Sequence, residues 1–268
     1  MKLYKKTRKN RRTVKTFKTV KIVKTVKRIK GGAHPNARPP KPLCQCPGCP
    51  RPPLDQQPFC EYHMKKGCPQ MPPLSGSELT WGKTLRDAYN KDPAVRRSHN
   101  CYAFAMGIMD QDKIRACREK GDCSFHIPGN DGVKGQIAKG GHPDFSGDMG
   151  KTCSDIMART LSSKPGSYIT TYSNGCKKGY RQVGVLVDSV SDMHYSQVVD
   201  CEPGEPNCVP GQTVHKPGET SATDVDGRGA KIINPERAYW FYPKRYKGDM
   251  PLSYKFCNHL CIPSGATA

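Results

Sequence analysis

Nowhere in the 268 residues is there a run of about 18 apolar side chains, the length a helix needs to cross a bilayer, so no transmembrane segment is expected. The N-terminus lacks the apolar stretch of a secretory signal, so no signal peptide is expected either. Acidic residues are missing from positions 1–30, which hold fourteen of the 44 Lys and Arg; without them the formal net charge falls from +21 to +7. Hydrophobic content is 35%, which fits one sizeable core carrying long polar segments. Cysteine, by contrast, is abundant. Fourteen of them without a secretory signal point to metal binding, to an oxidising niche, or to both.

The basic stretch is a region of its own, residues 1–32. From Thr13 to Lys30 it repeats in threes, as Thr-Val-Lys and close variants, with lysines at Lys15, Lys18, Lys21, Lys24, Lys27 and Lys30. A period of three matches neither the 3.6 of an α-helix nor the 2 of a strand, but an extended threefold conformation gathers the lysines. β-Branched residues favour that backbone, and the charge density opposes a packed core. The six lysines are therefore candidates for binding nucleic acid, where each one near a phosphate releases a counterion, or a partner protein surface. Gly31-Gly32 and a proline-rich linker at 33–43 follow.

Residues 44–75 carry a second signal: Cys44, Cys46, Cys49, Cys60, His63 and Cys68 in a short, proline-rich segment. Thiolates and an imidazole at this spacing suit tetrahedral zinc, which can replace an apolar core in so small a unit. Cys49, Cys60 and His63 are the firm ligands, and Cys44 and Cys46 compete for the fourth place. A full protein ligand set makes the ion structural. A disulfide knot is the alternative, and no recognition helix accompanies the segment. Elsewhere Cys117 with Cys123, Cys201 with Cys208 and Cys257 with Cys261 group locally, while Cys153 and Cys176 have no near partner. Asp224-Val225-Asp226-Gly227 shares part of a calcium-loop pattern, lacks its other ligands, and reads as a turn.

Residues 76–268 hold the candidate chemistry. Cys101 opens the apolar, helix-forming segment Cys101 to Gly107, behind the capping residues Ser98-His99-Asn100, and a helix N-terminus favours a thiolate. His194 begins a β-prone run preceded by the apolar strand Gly184 to Val187, and His215 lies in the next β-prone segment. Nucleophile, base and orienting residue in that order are what papain-like hydrolases use, and a histidine in third place resembles the NlpC/P60 class. The segment Cys201 to Cys208 reads as a hairpin tip inserted between the two histidine strands. A buried cysteine with chance histidines is the plainer reading.

From about Cys44 onward the chain resembles a family of uncharacterised proteins of large nucleocytoplasmic DNA viruses of algae and protists. The matching pieces are Phe59 to His63 with Cys68, His99 to Met106, Phe125 to Gly129, Asp192 to Tyr195, His215 to Gly218, Thr223 to Gly227, Asn234-Pro235 and Phe256 to Pro263. Pro210 to Val214, where relatives are aromatic-rich, and the Cys201 to Cys208 insertion depart from the pattern. The resemblance implies a viral, virion-associated protein, present in host cytoplasm or a viral factory during assembly, and favours Cys44 as the fourth zinc ligand.

The expected architecture is α+β, with helices over Trp81 to Asn90, Asn100 to Met109 and Thr152 to Leu161. They are followed by an antiparallel sheet of Arg181 to Asp188, Tyr195 to Asp200, Gln212 to His215 and Ala238 to Tyr242. A long loop is expected over Pro128 to Asp148. Two functions compete. One is a cysteine hydrolase cleaving a peptide or other amide bond with Cys101, His194 and His215. The other is a non-catalytic minor capsid or cement protein whose tail binds capsid subunits or packaged DNA.

Overall fold

In a computed structural model, residues 39–68, 71–129, 143–243 and 251–265 are described. The repeat over 1–32 with its six lysines, most of the linker and much of the loop after Pro128 lie outside them. The described chain is a mixed α+β fold. In order it forms α1 (Glu61–Lys66), β1 (Leu79–Trp81), α2 (Lys83–Asn90), α3 (Pro93–Ser98), α4 (Cys101–Met106), α5 (Gln111–Lys120), α6 (Met149–Ser163), β2 (Tyr168–Thr170), β3 (Tyr180–Asp188), β4 (Asp192–Cys201), β5 (Thr213–His215), β6 (Phe241–Tyr242), β7 (Leu252–Ser253) and β8 (Lys255–Pro263).

Helix starts follow from local chemistry. Asp92, Asn100, Asp110 and Asp148 each accept a backbone N–H of the first turn of α3, α4, α5 and α6 respectively, a cap worth about 1 kcal/mol. Pro93 adds a fixed φ where its missing N–H costs nothing. α4 stops at Gly107, which takes the left-handed conformation (φ 66°) that side chains disfavour. All six residues of α4 are buried. A helix apolar on every side has to run through the core, and α4 does: Tyr102, Ala105 and Met106 pack with Ile156, Val183, Val185, Tyr195 and Leu260. Phe104, on another side, joins Trp81, Tyr89, Val95, Val199 and Val214.

The main sheet runs β1-β4-β3-β8-β2, with β5 sharing the β4 edge used by β1. All pairings are antiparallel except β1 with β4, so the expected antiparallel sheet is a mixed one: β5 covers Ser196 to Val198, and the remaining stretch Val199 to Cys201 takes β1 in parallel. β3 is buried on both faces. Its Val183, Val185 and Val187 face the helices, while Leu186 meets Ile232, Trp240, Leu252 and Tyr254 of the C-terminal segment. A Cβ on Gly184 would stand 2.7 Å from Ser196 Oγ and 3.6 Å from the Pro235 ring, so glycine lets that segment approach the sheet.

Five disulfides staple this frame: Cys46–Cys68, Cys117–Cys123, Cys153–Cys257, Cys176–Cys261 and Cys201–Cys208. The local pairs at 117/123 and 201/208 form, but Cys257 and Cys261 do not join each other. They lie four residues apart on β8, about 13 Å along an extended strand, whereas a disulfide needs Cα atoms about 4–7 Å apart. Each instead ties β8 to one of the two cysteines that lacked a near partner. Cys201–Cys208 closes the loop between β4 and β5.

Candidate functional site

Cys101 is the first residue of α4, and its cap Asn100 also donates from Nδ2 to the His126 carbonyl at 2.9 Å. His194 lies near the start of β4 and His215 ends β5. Their register pairs His215 with Ser196, so His194 and His215 stand diagonally on the same sheet face. His194 Nε2 is 2.7 Å from His215 Nδ1, and His215 Nε2 is 2.9 Å from the Val225 carbonyl oxygen. A carbonyl only accepts, so His215 carries its proton on Nε2, its Nδ1 accepts, and His194 donates from Nε2. His194 Nδ1 is left as a lone pair. Burial depresses both imidazoles, His215 to about 4 and His194 well below 6.5 with the neighbouring His215 adding to the effect, so both are neutral at pH 7.

An aromatic box fixes the rings. Trp240 lies 5.5 Å from His194 and 5.1 Å from His215, and Tyr254 lies 5.2 Å from His194. The Tyr254 hydroxyl donates to Asp192 at 2.8 Å. Cys101 and His194 line one cleft of about 500 Å³, with Asn100, Phe125, Asp192, Met193, Tyr242 and Tyr254 and the turn Pro217 to Thr220. The turn is anchored by Lys216, fully buried, whose Nζ donates to the carbonyls of Arg96 at 2.7 Å and Gly218 at 2.6 Å.

The helix N-terminus does not make Cys101 a thiolate. Its thiol is pushed up to about 12, first by burial and then by the Asp192 carboxylate, against weaker opposing effects from backbone N–H groups and Lys216. The Sγ lies 3.7 Å from the Met193 carbonyl, and no hydrogen bond joins it to His194 among the described residues. The resting pair is therefore a neutral thiol and a neutral imidazole facing one cleft. Of the described cysteines, Cys101 alone is outside both the disulfides and the metal cluster.

That cluster is Cys44, Cys49, Cys60 and His63, whose ligand atoms lie within 4.8 Å of one another and can hold a metal ion. Cys49 and Cys60 sulfurs are 3.8 Å apart, and His63 Nδ1 is 3.4 Å from both Cys44 and Cys60 sulfurs. A tetrahedron with Zn–S about 2.3 Å and Zn–N about 2.0 Å has edges of about 3.8 and about 3.5 Å, so the donor set fits that ion. Cys44 fills the fourth place, and Cys46 is withdrawn into its disulfide with Cys68. The Cys60 N–H points to Cys44 Sγ at 3.3 Å, a second-layer contact to a ligand sulfur.

Comparison with protein-family models, with curated proteins and with solved structures gives no match. The geometry is thus the ground for any functional reading. It brings together Cys101, His194 and His215 at one cleft and its back wall, and the four metal ligands at another place. Val225, Trp240, Tyr254 and Lys216 escaped the sequence reading. A backbone carbonyl leaves no residue signature, and a buried lysine next to a histidine reads as an ordinary surface cation.

Proposed function

We propose that the chain is a papain-like, NlpC/P60-like cysteine hydrolase of a virion-associated viral protein, cleaving a peptide or other amide bond. The observation that carries this reading is the one-way proton order Val225 carbonyl, His215, His194, which leaves His194 Nδ1 unprotonated in the cleft that holds the one thiol without a structural partner. Cys101 would attack the carbonyl carbon as its proton passes to His194 Nδ1. The S–C bond forms, the tetrahedral oxyanion is held by the Cys101 backbone N–H, and the imidazolium then protonates the leaving amine. Water hydrolyses the resulting thioester and restores the thiol. His215 holds the imidazole and does not touch substrate. With the thiol raised and the imidazole depressed, both groups start neutral, so the proton would have to move as the S–C bond forms, with no preformed ion pair.

The Cys44, Cys49, Cys60 and His63 set would hold a structural zinc, since four protein ligands leave no open position. The Lys-rich arm would bind packaged DNA or neighbouring capsid subunits. Burial of Cys101, with its thiol turned to the Met193 carbonyl, supports the second reading, a minor capsid or cement protein that keeps the fold without the chemistry. Purified full chain incubated with a mixed peptide and amide-ester library, followed by intact mass, decides between them. A thioester adduct on Cys101 that is absent from Cys101→Ala and His194→Ala supports the hydrolase, and no adduct with any library member favours the structural protein.

A further inference from the structure

The cluster of metal ligands and the histidine pair are far apart in sequence, yet one hairpin joins them. Gln45 stands between the ligand Cys44 and the disulfide-bonded Cys46, fully buried. Its side-chain amide donates to the Lys231 carbonyl at 2.9 Å and accepts from the N–H groups of Ile233 at 2.6 Å and Asn234 at 3.0 Å. Arg237 reaches back, donating from Nε to the Cys44 carbonyl at 2.8 Å and from Nη2 to the Cys49 carbonyl. The ligand loop therefore grips residues 231–237 with five hydrogen bonds.

The gripped segment supports the imidazoles twice. Lys231 bridges to Val225, and Ile232 N–H bonds the Asp224 carbonyl at 2.8 Å, so positions 224–232 are a short hairpin. Its far arm supplies the Val225 carbonyl that sets the His215 tautomer. In the other direction, the Pro235 carbonyl accepts the Trp240 indole N–H at 2.7 Å, placing the ring that packs against both histidines. The ligand loop cannot keep its own shape by burial: α1, its one helix, has no buried residue, and its core is cysteine sulfur with Phe59 beside it. Beyond the Cys46–Cys68 bond and its hydrogen bonds, within the loop and to residues 231–237, an ion would fix the positions of the four ligands.

We infer that the metal centre is the brace of the histidine pair, acting through Gln45 and Arg237 on the hairpin whose Val225 carbonyl orients His215. Gln45 and Arg237 are positioning residues, and the metal segment serves the chain's own cleft rather than an outside nucleic acid. The consequence for catalysis rests on the hydrolase reading, but the coupling does not, because it is read on the His215 imidazole proton and not on activity.

The test uses the full chain with ¹⁵N-labelled histidine, loaded with zinc, and measures solvent exchange of the His215 Nε2 proton. Chelated wild type, and Gln45→Ala and Arg237→Lys at full zinc occupancy, should each exchange about tenfold faster or more while core methyl signals persist, as expected of a local opening. Unchanged exchange in the chelated wild type, or in both zinc-loaded variants, overturns the proposal. So does a chelated protein that loses its core methyl signals, since zinc would then be a general stabiliser. Should Gln45→Ala fail to fold, Arg237→Lys decides alone.

Discussion

His194 Nε2 lies 2.7 Å from His215 Nδ1, and the only proton order compatible with the Val225 carbonyl makes His194 the donor. Replacing His215 by Phe keeps an aromatic ring in the box and removes the acceptor. The buried His194 N–H then loses its partner, at a cost of about 1–3 kcal/mol. Urea unfolding of His215→Phe should show a lowered midpoint at an unchanged slope. A midpoint equal to wild type would mean the His194 proton has another partner.

Three of the buried histidines should set the acid limit of the fold. His215 and His99 are both depressed to about 4, by burial first, and His194 lies well below 6.5. His99 is held neutral because its Nε2 accepts the Asp110 N–H at 2.9 Å, and the neighbouring His126 opposes a charge on it. For a group whose folded pKa is lowered from about 6.5, the unfolded chain takes up the proton first, so stability is complete above about 6.5 and is lost as pH falls towards about 4. His215 contributes on the order of 3 kcal/mol across that window, and His99, less deeply enclosed, contributes less. Denaturant midpoints at pH 7, 5.5 and 4.5 should fall in that order. A flat series would show that these rings are not neutral and buried.

Cys101 should be a slow thiol in the free protein. Raised to about 12, it has far less thiolate at pH 8 than an ordinary cysteine of pKa about 8.5. Iodoacetamide labelling, read by peptide mass with the disulfides intact, should be at least tenfold slower at Cys101 than at a free cysteine peptide, and should still be rising at pH 10. Substrate hydrolysis, if it occurs, would then follow His194 deprotonation and stay level through pH 6 to 8. Fast labelling with a midpoint below about 8.5 would instead mean a preformed ion pair.

The sequence made some of this legible because the signals were local. An Asn before an apolar run marks where α4 begins, and a glycine marks its end. Cysteine spacing pointed to Cys49, Cys60 and His63 but left Cys44 and Cys46 competing for the fourth place, and the apolar run Gly184 to Val187 marked β3. What stayed hidden depends on distant partners. β8 carries polar Asn258 and His259 amid its apolar residues and is a central strand because β2 and β3 flank it, which no property of its own announces. The same holds for β1, three residues that pair only because β5 leaves the end of β4 uncovered. The third histidine partner is a carbonyl, chosen by how the 224–232 hairpin packs.

The lysine repeat makes a quantitative claim. If Lys15, Lys18, Lys21, Lys24, Lys27 and Lys30 each meet a phosphate of duplex DNA, log K against log salt should slope at about −5. Deleting residues 1–30 should remove that slope, as measured by fluorescence anisotropy on a duplex of arbitrary sequence. A slope that survives the deletion would move DNA binding to the body of the chain. No salt-sensitive binding by the full chain would leave a protein tether as the arm's role.

The disulfides should differ in worth according to the chain they enclose. Cys153–Cys257 spans 104 residues and anchors α6 to β8, whereas Cys201–Cys208 spans 7 and closes one loop. In the chain-entropy account the long bridge contributes about 4–5 kcal/mol and the short one about 2–3. Because Cys176–Cys261 also ties β8, losing Cys153–Cys257 leaves part of the constraint in place, so its measured cost should fall below the full figure. Guanidinium unfolding of the paired serine variants should still rank Cys153→Ser/Cys257→Ser below Cys201→Ser/Cys208→Ser. The reverse order would mean that the hairpin tip between the two histidine strands holds more of the fold than the staple across its sheet, and that the His215 strand depends on its loop for its place.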